Sequence, residues 1–154
     1  MILTNERKRK FMGEPLRWDD PAFTITIDPG RRYVELRLVG LWDDAAAARF
    51  ERQLRAVLAP ALKRGGCAIG EQVTLFDNTD FAVQPQDVTQ RLGQMALDAS
   101  IGSRRIAIQL NSALSRVQAR RVAPDYALFS DRDEALAWLF EPVGVDVLVR
   151  PTDA

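Results

Sequence analysis

Phe23, Ile25 and Ile27 alternate with Thr24 and Thr26, the period-two pattern of a strand with one buried face. Asp28-Pro29-Gly30 follows with turn chemistry, Pro presetting φ and Gly accepting a positive φ. Val34, Leu36 and Leu38 then alternate with Glu35 and Arg37, so the two arms predict a β-hairpin that ends at Gly40. There the period changes. Phe50, Leu54, Val57 and Leu58 fall at helical spacing, with Glu51, Arg52 and Arg55 on the other faces. Asp43 or Asp44 can cap this helix by accepting from the free amides of its first turn. Pro60 predicts a break or kink, and Gly65-Gly66 a stop.

Residues 72–77, QVTLFD, read as a short strand ending in Asp77, and NTDFAVQPQ reads as a loop. Val88, Leu92, Met95 and Ala96 form the apolar side of a second helix, and Ile106, Ile108 and Leu110 an alternating strand. Leu114, Val117 and Val122 mark a third helix from about Ser112 to Val122, and Tyr126, Leu128 and Phe129 the next strand. Ser130 and Asp131 can cap a last helix, with Asp133 and Glu134 placed to complete a capping box and Leu136, Leu139 and Phe140 as its buried stripe. Val145, Val147 and Val149 alternate with polar and apolar neighbours, which gives 144–150 strand character. A hairpin followed by βα units predicts an α/β fold, a mixed sheet with helices packed against it. Residues 1–21 read as a polar lead-in carrying the basic run Arg7, Lys8, Arg9 and Lys10, with Trp18 folding back as a cap on the core. Residues 22–150 read as a single domain and 151–154 as a tail.

Composition narrows the chemistry. The 154 residues suit one domain that buries about 70% of its unfolded surface, and 47% hydrophobic with 27% charged residues is a globular balance. Lys plus Arg and Asp plus Glu number 21 each, so no basic surplus exists to neutralise nucleic-acid phosphates. The chain has no His, which removes Ser-His-Asp and Cys-His pairs, His-built zinc sites and any imidazole proton shuttle. Cys67 stands alone between Gly66 and Ala68, without a base or cation nearby in sequence, and reads as a small buried thiol. MILTNERKRKF has no long apolar run behind its charges, and no stretch approaches the roughly 20 apolar residues of a membrane span. Neither catalytic residues nor a cofactor or metal site is expected, and the expected location is cytoplasmic.

A helix opening at GLWDD, a strand ending in Asp at TLFD, and the close YALFSDRDEALAWL make the chain resemble the STAS domains, and within them the SpoIIAA-like branch. The resemblance spans residues 23–141 by element order, and Asp131, Ala135 and Trp138 fit its strand-to-helix close. It implies a non-enzymatic regulatory or protein-interaction module, with the first helix and the Asp77–Gln86 loop as contact surface and self-pairing to a dimer. It also implies a phosphorylatable Ser after the third strand. Here Asp77-Asn78-Thr79-Asp80 lacks the Asp-Ser-x-Gly type motif, and Thr79 is the hydroxyl nearby, flanked by two carboxylates that oppose a phosphate.

Asp77 and Asp80 are the best carboxylate cluster, at the C-terminal end of a strand, where open α/β sheets bind ligands. A receiver-type role is excluded by the absence of a Lys downstream, and turn-making or capping is the ordinary alternative to a cation site. Arg116 and Arg120, four apart on one helix face, could hold an anionic head group or an acidic partner, or pair with surface carboxylates. Trp42 belongs to the core or lines an apolar pocket between hairpin and first helix. The second functional reading is therefore a binder of a small apolar or lipid-like anion.

Overall fold

The hairpin arms form as the alternation dictates, and they anchor a sheet of six strands among the described residues. The structure is a computed structural model that describes residues 14–142. In it β1 (Leu16–Asp20), β2 (Phe23–Asp28) and β3 (Tyr33–Gly40) pair antiparallel. Then β4 (Val73–Phe81), β5 (Arg105–Gln109) and β6 (Ala127–Phe129) add in parallel, so the spatial order equals the chain order. Each parallel step needs a crossover, supplied by α1 (Asp44–Lys63), α2 (Gln86–Ala96) with a short 3-10 turn at Ala99–Ile101, and α3 (Ala113–Val122). The last helix, α4 (Arg132–Leu139), follows β6.

Period two then divides the sheet into faces. Ile25, Ile27, Val34, Leu36 and Leu38 pack under α1 and α2 with Phe50, Leu54, Leu58 and Leu62. Ile108, Leu110 and Leu128 continue that face under Ala119 of α3. On the opposite face Tyr33, Val73, Leu75, Ala107 and Phe129 pack, among the described residues, against Ala135 and Leu139 of α4. The fold is thus asymmetric, with α1 to α3 on one side and α4 on the other.

Three expectations shift. The polar lead-in ends earlier than residue 21, because LRWDD is an edge strand in which Leu16 and Trp18 pack on the core while Arg17 and Asp19 face solvent. Trp18 meets the core as expected, but from within the sheet. The loop expected from Asn78 onward begins later, since β4 runs on to Phe81 through a bulge: Arg37 pairs with Asp77, yet Val39 pairs with Asp80. Helix α1 also continues through Pro60 to Lys63. Burying Ala61 and Leu62 beyond the proline offsets the roughly 3 kcal/mol that an interior Pro costs a helix. Asp43, rather than Asp44, is the N-cap and accepts from Ala46 N, and Asp131 caps α4 by accepting from Glu134 N. The basic run at 7–10, the strand expected at 144–150 and the tail lie outside the described residues.

Candidate functional site

Between the sheet and the three crossover helices the packing leaves a partly open cavity of about 100 Å³. Its sheet wall comes from β3, β4 and β5 through Leu36, Phe76 and Ile108, and its roof from Leu54, Leu92 and Ala119 on the three helices. Tight interiors leave few voids larger than a water, so this volume is a feature of the fold rather than ordinary packing slack. Helix α2 shows why it forms. Val88 and Met95 are its buried residues, while Leu92 is half-buried, so the helix spans the gap rather than pressing into it.

Among the described residues no charged side chain lines the cavity. Several of its polar groups are committed within the protein. Thr74 Oγ1 and Ser103 Oγ lie 2.7 Å apart. Gln118 grips the backbone of Gln84 twice, its Oε1 accepting from Gln84 N at 2.8 Å and its Nε2 donating to Gln84 O at 2.9 Å. Tyr126 stacks on Phe76 with ring centroids 6.2 Å apart, and burial pushes its hydroxyl up to about 12. It therefore stays protonated at neutral pH.

On the opposite sheet face the expected carboxylates do come together, around Arg37. Its guanidinium donates to Asp77 Oδ2 at 2.9 Å and also to Asp80. The bulge makes this clamp, because the extra residue in β4 brings Asp80 level with Val39 beside the arginine. Asp77 Oδ1 also accepts from Thr79 N at 3.1 Å and Thr79 Oγ1 at 2.7 Å. Burial pushes the Asp77 carboxyl up, but the Thr79 bonds and Arg37 outweigh it and hold the group below its ordinary value. Two carboxylates that share one guanidinium already have a counter-ion, and a hydroxyl committed to one of them is not a presented acceptor site. Among the described residues no group of three or more carboxylates and thiols gathers as metal ligands.

The other candidates stand apart. Trp42 is buried, its indole N–H donating to Val39 O at 3.1 Å and Ala22 O at 3.2 Å, and its ring packs edge-on against Phe23 and Phe81. It plugs the core beside the hairpin and does not line the cavity. Arg116 and Arg120 share α3, but neither reaches the cavity wall; Arg116 donates to Ser130 Oγ at 3.0 Å. Cys67 is buried, and burial pushes its thiol up, away from reactivity.

Sequence reasoning missed Thr74, Asn78, Ser103 and Tyr126 as cavity residues. One signal was present. Thr74, Phe76 and Asn78 share one parity of the TLFDN run, so extending the strand by one residue turns Asn78 toward the helices.

No family model matches the chain, and no curated protein matches it. Among solved structures, the crystal structure of an uncharacterized protein from the DUF3478 family with a SpoIIAA-like fold, from Shewanella loihica PV-4, aligns over 81% of this chain and 91% of that one. The TM-score is 0.53 and the identity 21%. No helix of the described residues is long and apolar enough to cross a membrane. The sequential mixed sheet, three crossover helices on one face and closing helix on the other give this chain the SpoIIAA-like fold expected from its STAS resemblance.

Proposed function

We propose that this domain is a non-catalytic binding module that takes a small, neutral, apolar molecule into the cavity between the sheet and α1 to α3. The observation that carries the reading is the cavity wall: about 100 Å³ lined mainly by aliphatic and aromatic side chains, with hydroxyl and carboxamide groups among them and no charged side chain of the described residues. An ionised head group would lie there without a counter-charge, at a cost of several kcal/mol. The lipid-like anion expected from the sequence is therefore narrowed to an uncharged ligand, because Arg116 and Arg120 stay outside the wall. A non-catalytic role is supported by the missing His, the buried thiol and the Arg37-neutralised carboxylates.

Native mass spectrometry of the purified protein tests this, with Ala119→Leu as comparison. Ala119 is buried in the wall, so three added carbons fill the cavity and should raise stability by about 0.5–2 kcal/mol. A retained small molecule, lost in A119L, is the expected result. A stabilised A119L that keeps the same molecule would place the ligand elsewhere.

A regulatory protein-interaction role is the second reading, favoured by Leu41 at 71%, Val83 at 46%, Leu114 at 73% and Val117 at 47% exposure. The Gln84–Gln118 bonds bring the segment of Val83 against α3, and Gly40 O accepting from Ala82 N brings Leu41 to the same edge. An empty protein that captures one reproducible partner, and loses it in Leu114→Asp, would favour this reading.

A further inference from the structure

We infer that the free edge of the sheet, strand β1, is a homodimer interface: β1 of a second copy pairs with it antiparallel, with Arg17 opposite the partner's Asp19 and Asp19 opposite the partner's Arg17. The inference is independent of what the cavity holds. Strand β1 pairs with β2 on one side, and among the described residues no strand pairs with its other side. Such an edge presents unpaired N–H and C=O groups, a template for another chain.

The alternation of an antiparallel sheet determines which groups those are. Val39 N donates to Ala22 O at 2.9 Å, so Ala22, Thr24 and Thr26 bond toward β3, while Phe23, Ile25 and Ile27 bond toward β1. Their opposites Asp20, Trp18 and Leu16 are spent on β2. Arg17 and Asp19 are left with main-chain N–H and C=O directed outward. Pro15 before the strand and Pro21 after it carry no N–H, so the outward donors of this edge belong to Arg17 and Asp19.

A second copy related by a two-fold axis pairs antiparallel, and it must set outward residues against outward residues. With the axis at Trp18, Arg17 faces the partner's Asp19, and each such pair exchanges both of its N–H···O bonds. Slipping the strands by two residues sets Arg17 against the partner's Arg17, or Asp19 against the partner's Asp19, and leaves the other outward residue facing a proline without an N–H. Charge and backbone therefore select the same register. The side chains agree with it. Arg17 Nε donates to Asp19 Oδ1 at 2.9 Å within the strand, yet the two side chains remain 67% and 63% exposed. In the dimer each meets an opposite charge across the new strand pair. Trp18, half-buried on the α1 face, comes beside the partner's Trp18 in the closer, non-hydrogen-bonded position, which removes ring surface from water.

Sedimentation equilibrium of the full chain at low salt tests this, with the wild type compared against Arg17→Asp, Asp19→Arg and the double variant R17D/D19R. Both positions are exposed, so circular dichroism should show each variant folded. The wild type should dimerise, and each single variant, which sets like charges opposite one another, should dimerise at least about tenfold more weakly. The double variant should regain the wild-type dimer, because the two reversals together restore opposite charges in this register. An equimolar mixture of the single variants should regain it as a heterodimer for the same reason. A wild-type chain that stays monomeric at millimolar concentration would overturn the interface, as would a dimer that neither reversal weakens. A double variant as weak as the single ones would overturn the register, and the proposal with it.

Discussion

The backbone N–H of Trp42, in the link between β3 and α1, donates to Oε1 of Gln84, forty-two residues away, at 2.7 Å. Gln84 Nε2 donates in turn to Gly40 O at 2.9 Å and to Ala82 O at 2.6 Å. One buried amide thus ties together the two chain ends that leave β3 and β4, and its backbone holds Gln118 of α3. Replacing Gln84 with Leu keeps the volume but leaves a buried amide and two carbonyls without this partner. Each such group costs about 1–3 kcal/mol, shared here because water can reach part of the loop, so Q84L should lose about 2–4 kcal/mol. Urea unfolding at constant m-value measures it. A loss under 1 kcal/mol would show that the clip carries little stability.

The pH dependence of stability follows from which groups the fold shifts. Arg49 bonding to Asp20, Arg91 bonding to Glu51, the Thr79 and Arg37 contacts of Asp77, and the Ser100 and Arg55 contacts of Asp98 all leave these carboxyls below their ordinary values; Asp98 falls to about 2. A carboxyl with a depressed folded pKa stabilises the fold above its unfolded pKa, about 4, and loses that contribution as pH falls through the folded value. Tyr126 has the opposite sign, its raised value of about 12 stabilising below about 10 and losing that as pH rises further. With no His in the chain, calorimetric Tm should be flat between about pH 5 and 8, drop between about 4 and 2, and drop again above about 10. Asp77→Asn should shallow the acid limb. A step near pH 6.5 would contradict this assignment.

Legibility in the sequence tracked how strongly each segment obeyed one period. The Phe23–Ile27 and Val34–Leu38 arms have apolar residues at every second position and formed as read, in register. Edge strand β1 was hidden because LRWDD shows only two apolar residues, enough to cover one side of an edge but too few to mark a strand. The end of β4 was hidden for another reason. Asn78, Thr79 and Asp80 are turn formers by local preference, and only the pairing with β3, with Arg37 between the two aspartates, draws them into the sheet. The cavity was the least legible feature. Leu92, Ile106 and Tyr126 look like any core residues in a sequence, and a void depends on how far apart three helices stand, which no local pattern encodes.

Gly65 carries a second stability test. A Cβ there would lie 2.4 Å from Pro29 O and 2.6 Å from Pro29 C, both backbone atoms of the β2–β3 turn. The end of α1 therefore touches the hairpin turn at a point where only Gly fits. Gly65→Ala must push the helix end or the turn aside, at about 1–3 kcal/mol. Because Ala otherwise favours helical and turn backbone over Gly, a neutral or stabilising result in thermal unfolding would mean that the turn yields freely.

Thr79 gives the last test, of whether the bulge can act as a phosphate switch. Its hydroxyl and amide both donate to Asp77 Oδ1, and Asp80 lies next to it with Arg37 shared between the two carboxylates. A phosphate on Thr79 would remove the hydroxyl donor, add about two negative charges beside two existing ones, and compete for a single guanidinium. The fold should resist it. Thr79→Glu, which places one carboxylate in the same spot, should destabilise the domain by about 1–2 kcal/mol, and more at low salt than at high salt because part of the cost is repulsion between exposed charges. Thr79→Val removes the same hydroxyl donor without the charge, so the gap between the two variants isolates the electrostatic part. That gap should shrink when Asp80→Asn is added, since Arg37 is then freed to compensate the new carboxylate. Equal stability of the Glu and Val variants at low salt would show that the clamp tolerates added charge, and would return Thr79 to the set of residues able to carry a switch.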